Sequence, residues 1–132
     1  MAIGTPDARG ITVNGCFVIG LDGHTTDVFD DVFAFVREAE LYEVQVTLMT
    51  PFPGTPLYAR LERENRLIEP HNWKKCTLFD INFQPARMSV QELHDGFKKL
   101  AVDLYSAEFT NWRRSRFKRA MRDQHRGRGV PL

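Results

Sequence analysis

The sequence predicts an α/β fold: two strand–helix units that share a parallel sheet, followed by a long C-terminal helix. Three observations carry this. Residues 11–20, ITVNGCFVIG, and the start of residues 44–58, VQVTLMTPFPGTPLY, are short runs rich in β-branched residues. Each runs into a turn and then into apolar residues at helical spacing. Further on, Leu93, Phe97, Leu100, Ala101, Leu104 and Tyr105 repeat at that spacing over several turns. Strand, helix, strand, helix at this pitch argues for parallel pairing with right-handed crossovers.

The elements follow in order. After the first strand, residues 21–25 (LDGHT) form a turn and residues 26–40 a helix. Thr25 or Thr26 is the expected N-cap, and Asp27, Asp30 and Asp31 place negative charge where the helix dipole favours it. Val28, Phe29, Val32, Phe33, Phe35 and Val36 cover one broad face. The second strand ends in a stiff loop. Pro51, Pro53 and Pro56 each fix φ and lack an N–H, and Gly54 is the one residue able to take φ > 0 beside a ligand. Thr55 is the expected N-cap of the helix that follows. Residues 69–88 lack long periodicity. Within them CTLFDINF reads as a strand or as an extended wrap, bracketed by Pro70 and Pro85. Ser89 and Glu92 form a capping box, and Gly96 weakens the helix they start.

At 132 residues the chain can bury one core. It has no apolar run near twenty residues, and MAIGTPDARG lacks the pattern of a signal peptide. With two cysteines and no export signal, a cytoplasmic setting is expected. Cys16 reads as a buried mid-strand cysteine rather than half of a disulfide with Cys76. The four histidines have no ligand spacing, so no metal site is expected. Nucleophile constellations and phosphate-binding glycine loops are absent too.

Residues 10–36 and 44–67 together resemble the later half of a radical S-adenosylmethionine (SAM) barrel. They are most similar to the class with an N-terminal cobalamin-binding domain. In that class the fifth strand reads roughly G-x-x-V-x-G-x-F-I-x-G-x-D-G-D-T. The sixth reads roughly L-x-P-x-P-G-T-x-L-Y, with a helix ending near E-G-R-L. Asn72-Trp73 and Arg87-Met88-Ser89 resemble the C-terminal extension of that family. The resemblance implies a partial parallel β/α barrel over residues 1–68. It then implies an extended connection over 69–88, a helical extension over 89–126 and a tail over 127–132. The cluster motif C-x-x-x-C-x-x-C and the cobalamin motif D-x-H-x-x-G are missing, so neither [4Fe–4S] nor cobalamin is expected to bind this chain. The chain is therefore expected to be the distal part of a longer enzyme, an oxidoreductase or methyltransferase, inactive alone.

In a barrel strand alternate residues face the interior. The bulkier set Ile11, Val13, Phe17 and Ile19 should face the helices, which leaves Asn14, Cys16 and Val18 inward. On the second strand Gln45, Thr47 and Met49 should face inward, and Val44, Val46 and Leu48 outward. The resemblance implies that Val18 packs on the SAM adenine with Gly20 leaving room. It also implies that the backbone from Leu48 through Thr50 to Pro51, shaped by Gly54, reads the adenine edge. Asn14, Gln45 and Thr47 are the candidates to face substrate: polar side chains on an inward face need partners, and substrate, SAM or buried water would serve. His24 stands where the family more often has an acidic residue, and reads as a solvated loop histidine. Glu62, Arg63, Glu64, Arg66 and Glu69 read as an exposed mixed-charge face.

Charge is uneven. Up to residue 111 there are 10 Lys or Arg and 16 Asp or Glu; from Trp112 onward there are 8 and 1. The basic end reads as the solvated end of a helix, or as a phosphate-binding surface with Trp112, Phe117 and Met121 as a loose apolar face. That face could dock on the missing half of the barrel or on an anionic membrane, and nucleic acid is not expected. The first strand should have an unpaired edge, open to that missing half or to a second copy, or else covered by the chain's own N-terminal segment or C-terminal helix. A stand-alone binding or assembly module, docking through the basic helix, is the second reading.

Overall fold

A computed structural model describes residues 10–127. The order is β1 (Asn14–Ile19), α1 (Val28–Ala39), β2 (Glu43–Leu48), α2 (Pro56–Arg63), a short 3-10 turn (Trp73–Lys75), α3 (Val90–Tyr105) and α4 (Ala107–Gly127). β1 and β2 pair in parallel, in register from Asn14 opposite Glu43 to Ile19 opposite Leu48. The ladder continues past both ends, with Glu43 N donating to Val13 O and Met49 N to Ile19 O. The chain is thus α/β, two parallel strand–helix units followed by long C-terminal helices.

The pleat sorts most of the strand side chains as the alternation predicts, but Ile11 is exposed instead of packed on the helices, and Thr47 and Met49 are buried instead of open. Ile19, Val44, Val46 and Leu48 are buried with Val32 and Val36 of α1 and with Leu93, Leu100 and Leu104 of α3. On the opposite face Asn14, Cys16, Val18 and Gln45 are exposed. Cys16 is therefore not the buried cysteine that its mid-strand position suggested. It lies on the uncovered face, its thiol 3.9 Å from Gln45 Oε1.

Several local expectations change in detail. α1 starts at Val28, later than residue 26. Its cap Asp27 has helical dihedrals and makes no side-chain bond. Thr25 instead closes the preceding turn, its hydroxyl accepting from Asp27 N and its carbonyl from Val28 N. At α2 the expected cap holds: Thr55 Oγ1 accepts from Tyr58 N, and Pro56 occupies the first turn, where its missing N–H costs nothing. Gly54 has φ 79° with open space at its Cβ position. Gly96 is more than a weak point in α3. The Phe29 ring sits where a side chain would begin, so the glycine lets α1 and α3 approach.

Segment 76–83 is an extended wrap rather than a strand. Its only ladder contact among the described residues is an antiparallel bridge from Phe83 to Leu67. Asn82, 4 % exposed, extends that pairing with its side chain, donating to Glu69 O and accepting from Glu69 N. The capping box of α3 forms as expected, Ser89 with Glu92. The helical extension divides at Ser106, whose backbone is extended (ψ 145°) and whose hydroxyl accepts from Phe109 N. Serine at such a junction caps the next helix.

The first part of the basic end is folded back, while Lys118, Arg119, Arg122 and Arg126 stay exposed as a solvated helix end would. Arg113 is 1 % exposed. Its guanidinium donates to Leu41 O, Tyr42 O and Leu104 O at 3.0–3.1 Å and lies over the Phe109 ring. Leu104 O is at the C-terminal end of α3, where the helix dipole favours a cation. Arg114 pairs with Glu43 and Arg116 with Glu40, while Phe117 packs edge-on against Tyr42. Three of the eight cations of that end, Arg113, Arg114 and Arg116, therefore clamp α4 to the α1–β2 connection and the start of β2.

Candidate functional site

The carboxyl ends of β1 and β2 bring the two strand-end loops together, and the uncovered face of the sheet lies beside them. In parallel α/β sheets this is the end where ligands bind. The β1 loop is tied down twice. Asp22 pairs with Arg60 of α2 and with Arg66 beyond it, each at 2.9 Å. Arg66 also pairs with Glu64 and donates through Nε to Gln84 O. Hydrogen bonding to Arg66 holds the Asp22 carboxyl below its ordinary range, ahead of a smaller opposing push from burial. Arg66 is thus a bridging residue, with its side chain 16 % exposed, and not part of a free charged face.

His24 is the second tie. Its Nδ1 accepts from both Gly20 N and Leu21 N at 3.2 Å, which requires a neutral ring with the proton on Nε2. Burial holds its pKa below the ordinary value. The expected solvated histidine is in fact an anchor of the strand end. The turn sequence carried a signal for this, since a histidine four residues past a strand-end glycine can reach back to the freed amides.

The β2 loop is fixed by the wrap. Thr50 Oγ1 donates to Thr77 O at 2.8 Å, with Leu48 O the alternative acceptor at 3.1 Å, and the Cys76 thiol lies 3.8 Å from Pro51 O. Of the six residues expected around the adenine, Val18 and Gly54 are exposed, whereas Gly20, Leu48, Thr50 and Pro51 are buried. The space at Gly20 (φ 106°) is taken by Phe83, whose ring carbon lies 2.8 Å from the Cβ position. Of the three expected to face substrate, Asn14 and Gln45 are exposed on the uncovered face. Thr47 is 8 % exposed and donates to Phe17 O. Phe52, 42 % exposed in the same loop, adds an aromatic that the proline-rich sequence did not single out. So does the cluster Tyr58, His71 and Trp73, in which Tyr58 Oη accepts from His71 N.

Among the described residues no group of three or more His, Cys, Asp or Glu side chains is placed to hold a metal. The chain's two cysteines lie on different elements, one bonded toward Gln45 and the other toward Pro51, and they do not fit an iron–sulfur cluster. No helix among the described residues is long and apolar enough to cross a membrane.

A two-stranded parallel sheet with an open face, tied strand-end loops and a helical cap makes a partial α/β unit. The chain belongs to the family described as a domain of unknown function, DUF4070, whose model matches residues 55–130. It is also similar to methyltransferases. It is 26% identical over 95 residues to the bacteriochlorophyllide d C-12(1)-methyltransferase of Chlorobaculum tepidum, covering 72% of this chain and 20% of that protein. It is 31% identical over 68 residues to the hopanoid C-2 methylase of Rhodopseudomonas palustris, covering 52% and 13%. To an uncharacterized methyltransferase of a Synechocystis strain it is 33% identical over 91 residues, covering 67% and 16%. The chain spans about a fifth or less of the length of these curated relatives.

Proposed function

We propose that this chain supplies the distal wall of a radical SAM methylase, with the uncovered face of β1 and β2 turned toward SAM and substrate. The observation that carries this is the asymmetry of the sheet. The outer edge of β2 is closed by the chain's own Tyr105 and Leu78. The outer edge of β1 pairs with no strand among the described residues. A sheet finished on one side only is suited to continue a larger sheet on the other. The partial similarity to methyltransferases supports the reading.

Val18 fits an adenine: it is an exposed apolar surface, 48 % accessible, at the end of β1. Thr50 and Pro51 act by holding the loop, since their polar groups already meet the wrap. Asn14 and Gln45 line the same face and would meet substrate. SAM supplies the methyl group or the radical when bound; the cluster belongs to the remainder of the enzyme, for which this chain has no ligands.

The test joins this chain to a cluster-bearing barrel segment from the same gene or operon and measures SAM affinity by calorimetry. Val18→Asp is expected to weaken SAM binding at least tenfold, because it places a carboxylate against the adenine face. Gly54→Ala forces a side chain into a left-handed conformation, costing about 1–2 kcal/mol in the loop. If both variants fold and bind SAM like the parent, the sheet face is not the adenine wall.

A further inference from the structure

We infer that the outward face of α4 is an electrostatic docking surface for an anionic lipid bilayer. The docked face of this helix is used up internally by Arg113, Arg114, Arg116 and Phe117. What remains in its second half is Lys118, Arg119, Arg122 and Arg126, all exposed. At 3.6 residues per turn these four fall in an arc of about 100° on the side opposite Arg113. They run about 12 Å along the axis. None of them makes an ion pair among the described residues, although the chain is rich in acids elsewhere. Asp123 is the acid beside these four, at the margin of the stripe; Glu108 falls in the same arc but in the first turn of the helix, ten residues before Lys118.

The shape selects the partner. Four cations in a line on a convex helix do not converge on a small anion. They match a flat field of phosphates. The remaining exposed residues of the arc, Glu108, Asn111 and Ser115, lie in the first half of the helix and offer no aromatic platform for bases. A long nucleic acid would also pass from the stripe onto the acidic body, where 16 of the 17 acids lie. A bilayer need touch only the outer face of α4. The attraction is worth about fivefold in binding for each Lys or Arg held near an anionic lipid surface, and salt screens it.

The experiment sediments the 132-residue chain with phosphatidylglycerol-rich vesicles and with phosphatidylcholine vesicles. Binding to the anionic vesicles alone, weakening steeply as salt rises, is the expected result. Replacing Lys118, Arg119, Arg122 and Arg126 together by Gln should weaken it at least fiftyfold. The pair Arg114→Gln and Arg116→Gln removes cations already bound to carboxylates and should change it less than threefold. Asp123→Asn should strengthen it several-fold, an arm that reads even if the quadruple variant fails to fold. Equal binding to both vesicle types overturns the inference. So does an Asp123→Asn chain that binds no tighter, or tighter binding to duplex DNA than to the anionic vesicles.

Discussion

The two edges of the sheet differ: among the described residues one is covered and the other pairs with no strand. Along β2, Val46 N donates to the Tyr105 hydroxyl at 3.2 Å and Leu48 N to Leu78 O at 2.7 Å. Neither partner is a strand; one is a helix side chain and the other a loop carbonyl. Along β1 no strand is paired on the outer side among the described residues. An exposed row of amides and carbonyls invites pairing, and proteins cover such edges when the sheet ends there. The β2 side has the form of a sheet's end, while the β1 side keeps a free edge among the described residues, which is what the proposed larger sheet needs. The same division runs through the faces: the helix side is packed and apolar, while the other carries Asn14, Cys16, Val18 and Gln45 in water.

The largest test of this contrast is on the finished side. Arg113 joins three buried or half-buried carbonyls, two from the α1–β2 connection and one from the end of α3, and α4 is held through it. Arg113→Met should lower stability by about 3 kcal/mol in urea unfolding, because the carbonyls lose their donors in a closed space. Arg113→Lys should recover only part, since an ammonium cannot reproduce the guanidinium fork. A loss below about 0.5 kcal/mol would mean that α4 is not docked in solution, and the contrast between packed and open sides would fail.

A smaller effect isolates the edge itself. Tyr105 is 49 % exposed, so removing its hydroxyl leaves the packing almost unchanged. Tyr105→Phe takes the acceptor from Val46 N and should cost about 1 kcal/mol. Hydrogen exchange at Val46 should speed up while Leu48, held by Leu78 O, stays protected. If both amides speed up together, the edge opens as a unit and Tyr105 is not its specific cover.

What could be read from the sequence follows the range of the interactions. The two strand–helix units, the alternation of faces, the Thr55 cap and the Ser89–Glu92 box are local patterns, and they recur in the structure. The burial of Arg113 depends on carbonyls more than seventy residues earlier, so a basic run gave no hint of it. Gly96 looked like a propensity defect because Phe29 lies on another helix. At the strand ends, the Asp22 link to Arg60 and Arg66 and the His24 anchor needed the loops in place. Ser106 is the exception: a serine followed by a fresh apolar period was a legible cap inside a helix that otherwise seemed continuous.

The smallest effect is expected on the open side, and its smallness is the point. Val18 and Ile19 are neighbours with similar side chains, yet one is 48 % exposed and the other 1 %. Ile19→Ala should cost about 2–4 kcal/mol, because it empties part of the core between the sheet and the helices. Val18→Asp in the same chain should cost less than about 1 kcal/mol, mostly through poorer strand propensity, since its side chain stays in water. Urea midpoints for the two variants give the comparison directly, and light scattering on the parent shows whether a second copy covers the face. A Val18→Asp loss as large as that of Ile19→Ala, with dissociation of a dimer, would mean that the face is already buried between two copies. A small loss in a monomer, combined with failure to join the cluster-bearing barrel segment, would locate the function of Val18 in the larger assembly.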